Sequence, residues 1–98
     1  MPTTIATVNV NGIRAATRKG MLEWLEDRDP DIITLQEVRA PDEVLHELFA
    51  DRYEIAHDEA NAKGRAGVAI MTRRKLDAVE VPNHAPLTVG TGRWIEAR

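Results

Sequence analysis

The stretches VNVNGIRA at residues 8–15 and IITLQEV at residues 32–38 decide the fold of this chain. In each stretch a short apolar run ends in polar side chains, asparagines in the first and a Gln-Glu pair in the second. The segment between them has the apolar spacing of a helix, so the order is strand, helix, strand. A crossover of that length makes the two strands parallel neighbours with a right-handed connection. Their polar ends then lie at the same edge of an α/β sheet, where ligand sites tend to form.

This edge brings together an amide, Asn9, and a carboxylate, Glu37. The pair has the outline of a site for a metal ion and a phosphate. Mg²⁺ prefers oxygen ligands and usually takes only one or two carboxylates, with waters and substrate phosphate in its other positions. Spacing alone leaves alternatives open. Glu37 could equally cap the next helix or pair with Arg39, and an Asx turn is the commoner role for an asparagine before a glycine.

The rest of the pattern predicts a mixed sheet with two helices on one face. We predict strands at residues 4–10, 31–36, 53–57 and 67–72, helices at 17–27 and 41–50, and weaker strands at 77–81 and 93–98. The first helix would bury Met21, Leu22 and Leu25. The strands at 31–36 and 67–72 are apolar on both faces, which predicts cover from two layers. We expect the strand at 93–98 to be an unpaired edge, and the chain to be one structural unit.

Composition indicates a polar chain, with 43% hydrophobic residues, 30% charged residues and no cysteine among its 98 residues. The lack of cysteine excludes disulfides and thiolate metal sites. No apolar run is long enough to span a bilayer and no signal-peptide pattern opens the chain, so we expect a cytoplasmic protein. The net charge is −3, yet the acids are concentrated in residues 23–59 and the flanking segments are basic. A local basic rim can follow a phosphate backbone, and solvated surface charge explains it equally well.

Two further motifs complete a family resemblance. VNVNG and LQE are followed by KGRAGVAIMTRR at residues 63–74 and GRWIEA at residues 92–97. In this order and spacing the motifs resemble the opening of exodeoxyribonuclease III and the AP endonucleases, in the endonuclease/exonuclease/phosphatase superfamily. The resemblance implies the amino-terminal portion of a four-layer α/β sandwich of the DNase I type. Residues 1–98 would then be part of a single domain whose carboxyl-terminal part is absent.

The resemblance also implies a chemistry, the Mg²⁺-dependent hydrolysis of phosphodiesters in DNA, with Mn²⁺ as a substitute metal. Such enzymes are DNA repair nucleases that act as 3′ to 5′ exodeoxyribonucleases and at abasic sites. The implied partner is duplex DNA with abasic sites or 3′ ends, and no membrane or protein partner is evident. The resemblance assigns Asn9 and Glu37 to the metal, with Asn11 in support. Because the later groups of a complete catalytic site have no counterpart here, we expect the 98-residue chain alone to be inactive.

DNA contacts are implied at three basic residues, Arg14, Lys19 and Arg65. The first two match family positions that contact phosphates, and the third lies in a glycine-punctuated loop that approaches DNA. This chain departs from the family pattern here, because relatives often carry an aromatic residue where it has Arg65 or Ala66. In place of stacking or wedging into the DNA helix, a guanidinium can contact phosphate or enter a groove. Two alternatives remain: a phosphoesterase of the superfamily that acts on lipid or inositol phosphates, and a non-catalytic protein-binding module. The stretch with Arg14 and Lys19 favours the DNA branch.

Overall fold

The computed structural model describes residues 3–59, 66–80 and 95–98. The main feature is a four-stranded mixed sheet made of β1 Ile5–Asn9, β2 Ile32–Gln36, β3 Glu54–Asp58 and β4 Val68–Thr72. Helices α1 Ile13–Arg18 and α2 Met21–Arg28 connect β1 to β2, and α3 Asp42–Phe49 connects β2 to β3. Of the helices in the described ranges, none has the length and apolar character needed to cross a membrane. The predicted α/β class with a mixed sheet is confirmed.

The strand order in the sheet is β1-β2-β4-β3. β1 and β2 are parallel and in register from Ile5 opposite Ile32 to Asn9 opposite Gln36, as the crossover predicts. β4 is antiparallel to β2, so it begins at the edge where β1 and β2 end. We call this edge, which carries Asn9, Gln36 and the start of β4 at Val68, the upper rim. Three chain segments therefore converge there.

All three helices contribute to a core on one face of the sheet. The buried cluster combines apolar side chains of helices and strands, among them Ile13, Met21, Leu25, Ile33, Leu35, Leu45, Phe49 and Met71. The other face is open at β1, where Ile5 is 64% exposed, and half-buried at Ile32 and Ile70. The predicted cover on both faces of β2 is thus observed for one face within the described part of the chain.

The structure corrects the predicted helix at residues 17–27, which consists of two helices. Gly20 separates α1 from α2 with φ 101°, a left-handed conformation that cannot continue a right-handed helix and that glycine adopts at little cost. The sheet therefore has three helices on one face where two were predicted. Met21 and Leu25 are buried one turn apart, whereas Leu22 is 37% exposed, so the predicted burial of Leu22 is wrong.

The end of the chain also differs from the prediction. β5 Val79–Glu80 pairs antiparallel with β6 Glu96–Ala97, so the strand expected to be an unpaired edge has a partner. The hydrogen bond from the Arg98 N–H to the Ala78 carbonyl, at 2.8 Å, extends this ribbon. Arg65, the third predicted DNA contact, lies outside the described residues.

Candidate functional site

The structure brings Asn9 and Glu37 into contact at the upper rim. Asn9 is the last residue of β1, and Glu37 follows β2 directly. The Asn9 Nδ2 donates a hydrogen bond to Glu37 Oε2, while the Asn9 Oδ1 accepts one from the backbone N–H of Asn11 at 3.0 Å. A backbone N–H can only donate, which fixes the amide with its nitrogen toward Glu37. The backbone of Asn11 thus holds the Asn9 amide, which in turn contacts Glu37, and a role for the Asn11 side chain remains a prediction.

Glu37 reaches Asn9 because of its backbone conformation. Strand alternation would place Glu37 with Leu35 on the face covered by helices, while Asn9 shares the opposite face with its register partner Gln36. Instead Glu37 has φ 53°, in the left-handed region. This conformation costs a non-glycine residue of order 1–3 kcal/mol and is found mostly where the surroundings enforce it, often at functional sites. The turn ends the strand and redirects the carboxylate toward Asn9.

Two backbone hydrogen bonds from the β1–α1 connection enforce this turn. The Gly12 N–H donates to the Glu37 carbonyl at 2.8 Å, and the Ile13 N–H donates to the Val38 carbonyl at 2.9 Å. Gly12 has φ 94°, a conformation that suits glycine, and Ile13 and Val38 are fully buried. The NGI part of the sequence motif therefore holds the Glu37 turn with main-chain groups.

The start of β4 holds the same turn from the other side. The N–H groups of Val38 and Arg39 donate to the carbonyls of Gly67 and Ala66, at 3.0 and 2.8 Å. Gly67 has φ 97°, and a Cβ built on it would lie 3.4 Å from the Val38 Cβ and 3.5 Å from the Arg39 nitrogen. These distances are ordinary contacts, and it is the positive φ that favours glycine here, because residues with a side chain rarely adopt it. Gly67 was quoted in the sequence motif, but its role in positioning Glu37 was not predicted.

Glu37 is a half-exposed carboxylate, and its contacts stabilise the ionised form. Its Oε1 accepts a hydrogen bond from the Arg39 Nη2 at 2.7 Å, and the Glu37 side chain is 38% exposed. The Asn9 amide, followed by the Arg39 guanidinium, lowers the pKa of Glu37 below its ordinary value. The pairing with Arg39 that spacing left open is therefore present together with the Asn9 contact.

The donor set at the upper rim fits a hard divalent cation. Glu37 offers an ionised carboxylate held by the turn, and its partial exposure leaves room for waters and for a phosphate. Within residues 3–59, 66–80 and 95–98, no cluster of three or more His, Asp or Glu is arranged to hold a metal. One carboxylate with an amide beside it suits Mg²⁺, which usually retains several waters. Asn9 as a direct ligand remains a prediction, since its oxygen is engaged by Asn11.

The basic residues Arg14 and Lys19 are exposed close to this rim. Arg14 lies in the first turn of α1, two residues after Gly12, which bonds to the Glu37 turn. Lys19 lines a groove of about 350 Å³ together with Asn9 and the 40% exposed Trp24. The structure thus gathers an ionised carboxylate, an amide and two cationic side chains at one end of the sheet.

His57 is a further residue whose place the sequence did not reveal. Its side chain is 1% exposed, and its Nδ1 lies 3.1 Å from the Asp42 Oδ1 at the start of α3. A Cβ built on Gly67 would lie 3.7 Å from the His57 Nε2. The imidazole therefore packs behind the segment that holds the Glu37 turn. No spacing in the sequence links His57 to Asp42, because the contact depends on the α3–β3 packing.

Comparison with known proteins places this arrangement in a family. The sequence pattern of the Endonuclease/Exonuclease/phosphatase family matches residues 6–98. The chain belongs to this family. A DNA-(apurinic or apyrimidinic site) endonuclease of Dictyostelium discoideum is 32% identical over 76 residues, which cover 76% of this chain and 21% of that protein. An exodeoxyribonuclease of Bacillus subtilis is 37% identical over 68 residues, covering 68% of this chain and 27% of that protein. The chain thus spans about a quarter of these relatives.

Two solved structures share the fold of this chain. An AP endonuclease from Archaeoglobus fulgidus superimposes with a TM-score of 0.80 at 29% identity, over 98% of this chain and 37% of the other. The catalytic domain of Xenopus laevis APE2 gives a TM-score of 0.62 at 33% identity, over 80% of this chain and 26% of the other. The predicted fold, part of a DNase I-like α/β sandwich, is confirmed, as is the resemblance to exodeoxyribonucleases and AP endonucleases.

Proposed function

We propose that this chain is the amino-terminal part of a Mg²⁺-dependent DNA repair nuclease, within one domain to which further residues contribute. The observation that carries the proposal is the ionised Glu37 carboxylate, held beside Asn9 by a left-handed turn at the upper rim. Family members named as an AP-site endonuclease and an exodeoxyribonuclease support this choice. We propose abasic sites and 3′ ends in duplex DNA as substrates, and the cytoplasm as the location.

In this proposal Glu37 holds the metal and Asn9 keeps the carboxylate oriented and ionised. A bound Mg²⁺ supplies polarisation of the scissile phosphate and stabilisation of the leaving oxygen. Mn²⁺, which accepts similar oxygen ligands, can replace it. The lowered pKa of Glu37 keeps the carboxylate ionised to more acidic pH than an ordinary glutamate. Groups that activate water would come from residues beyond this chain, so we propose that residues 1–98 alone do not cleave DNA.

Arg14 and Lys19 would hold the DNA backbone next to the metal. Both are exposed, and Lys19 shares a groove with Asn9. Phosphate contacts by basic side chains position a duplex without reading its sequence, as a repair enzyme that acts at many sites requires. Arg65 is proposed as a third contact on the strength of the family resemblance alone.

The first test is cleavage of duplex DNA by the natural full-length protein with Glu37→Gln. The substitution keeps the side-chain size but removes the charge, so cleavage should fall by orders of magnitude and recover partly at high Mg²⁺. Glu43→Gln, an equal charge change on an exposed residue of α3, is the control and should leave cleavage unchanged. Normal cleavage by Glu37→Gln at limiting Mg²⁺ would show that the carboxylate is structural.

A second test separates DNA from other phosphoesters. Arg14→Ala should raise the KM for DNA and reduce the slope of log affinity against log salt by about one, because one phosphate contact is lost. If the wild-type protein hydrolyses inositol or lipid phosphates and leaves DNA intact, the nuclease assignment is wrong and the phosphoesterase alternative replaces it.

A further inference from the structure

Arg39 contacts the proposed metal ligand, although its side chain does not build the turn. The backbone of Arg39 is fixed by φ 54° and by the hydrogen bond from its N–H to the Ala66 carbonyl. Its side chain is 42% exposed and, among the described residues, hydrogen-bonds only to Glu37 Oε1. The main chain therefore secures the turn, and the guanidinium remains free to leave the carboxylate without loss of structure.

Both oxygens of Glu37 are occupied by donors of the chain itself. Asn9 engages Oε2, and Arg39 engages Oε1. The Asn9 donor is a neutral amide tied to Asn11, whereas the Arg39 donor carries a full positive charge on a long, exposed side chain. A divalent cation at this carboxylate would repel the guanidinium and not the amide. Arg39 is thus the donor that a metal would displace.

We propose that Arg39 is a positioning residue with two partners: it neutralises Glu37 until a divalent cation binds, and it then turns to a phosphate of the DNA substrate. This inference rests on the proposed function, since it needs Glu37 to be a metal ligand. The planar guanidinium pairs with carboxylate and phosphate oxygens through the same two-pronged geometry, so one side chain suits both partners. Because the ion pair is partly exposed, breaking it costs little.

If Arg39 moves from Glu37 to a DNA phosphate, removing its guanidinium changes two affinities in opposite directions, that for the metal and that for the substrate. Without Arg39 the carboxylate is free of its competing cation, so a divalent ion binds more tightly. The same loss removes a phosphate contact, so DNA binds more weakly. A side chain that merely held Glu37 in place would weaken both when removed. The opposed signs therefore separate the proposed role from a structural one.

The experiment uses the natural full-length protein with Arg39→Gln and Arg39→Lys. The first removes the charge, the second keeps it without the planar fork, and both leave a non-glycine residue at the same φ. Arg74→Gln is the matched control, because Arg74 is exposed just after β4 at the opposite rim, and no described residue forms an ion pair with it. Calorimetric titration with MnCl₂ measures metal affinity without DNA, and KM is measured on a duplex with an abasic site.

Arg39→Gln should lower the Kd for Mn²⁺ by about threefold or more and raise the KM for DNA, with Arg74→Gln unchanged in both. Arg39→Lys should keep the wild-type Kd for Mn²⁺ but raise KM. Unchanged or weaker Mn²⁺ binding by Arg39→Gln, with normal thermal unfolding, would overturn the inference and leave the proposed function intact. If Glu37→Gln binds Mn²⁺ as the wild type does, the metal site itself is wrong, and both proposals fall.

Discussion

Glu37 shows how far a single residue can be predicted from sequence. The sequence indicated both the apolar run before Glu37 and the parallel neighbour β1. The edge of the sheet at which Glu37 lies could therefore be predicted. The direction of its side chain could not, because it depends on φ 53°, and strand alternation predicts the opposite face. The sequence LQEVR itself does not indicate the left-handed turn. The turn is held by main-chain hydrogen bonds to Gly12 and Gly67, which are distant in the sequence.

Replacing Asn9 should change the pH dependence of Mn²⁺ binding. Its amide is the largest cause of the lowered pKa of Glu37, so Asn9→Ala should raise that pKa toward the ordinary value of a glutamate. Since the cation binds the ionised carboxylate, the acid limb of Mn²⁺ binding should move to higher pH, with near-normal binding at neutral pH. Calorimetric titration across the acid range measures this limb. Weak binding at every pH would instead make Asn9 a direct ligand.

Among the elements, the strands of the main sheet and α3 were predicted within one residue at each end, because apolar runs bounded by polar residues define short elements. The parallel pairing of β1 with β2 was predicted as well, whereas the place of β4 between β2 and β3 was not. The single helix predicted before β2 failed at Gly20, whose positive φ breaks the helix although the apolar spacing continues. The His57–Asp42 contact could not be predicted, because it joins a strand to a helix through tertiary packing.

The connection between β4 and the Glu37 turn gives a prediction about Gly67. Gly67→Ala would put a side chain at an unfavourable φ of 97°, and relief of that strain should shift the Gly67 carbonyl that holds the turn. We expect lower thermal stability and a large loss of Mn²⁺ affinity. Gly20→Ala is the control, because Gly20 has a similar φ of 101° but its carbonyl accepts from the Trp24 N–H and not from the Glu37 turn. It should destabilise the protein and leave Mn²⁺ affinity unchanged; equal losses of affinity would contradict the role of Gly67.

At the scale of the whole molecule, the sheet is covered unequally. The helices bury one face, while the other carries Ile5, 64% exposed, with the half-buried Ile32 and Ile70. Apolar area that stays exposed does not contribute to the free energy of unfolding. A small domain depends on such burial, since its stability is a small difference between large terms. The apolar composition of β2 and β4 predicted two-sided cover, and the sequence could not say which residues supply it.

The open face leads to a prediction for residues 1–98 expressed alone. We expect a broad, weakly cooperative thermal transition, a tendency to associate through the exposed face and through β1, the edge strand of the sheet in the described residues, and no cleavage of DNA with Mg²⁺. Calorimetry and a cleavage assay on an abasic duplex measure these properties. A sharp cooperative transition with metal-dependent cleavage would mean that the 98 residues form a complete enzyme.

A bound metal can be located in solution by NMR. Paramagnetic Mn²⁺, added in substoichiometric amounts to the isotope-labelled natural protein, broadens the amide signals of residues nearest to it. We expect the signals of Asn9, Asn11, Gly12 and Glu37 to broaden first, that of Asp31 at the opposite rim to be unaffected, and Glu37→Gln to abolish the effect. Broadening centred on another part of the sheet, or undiminished in Glu37→Gln, would contradict the claim that the Glu37 turn is a metal site.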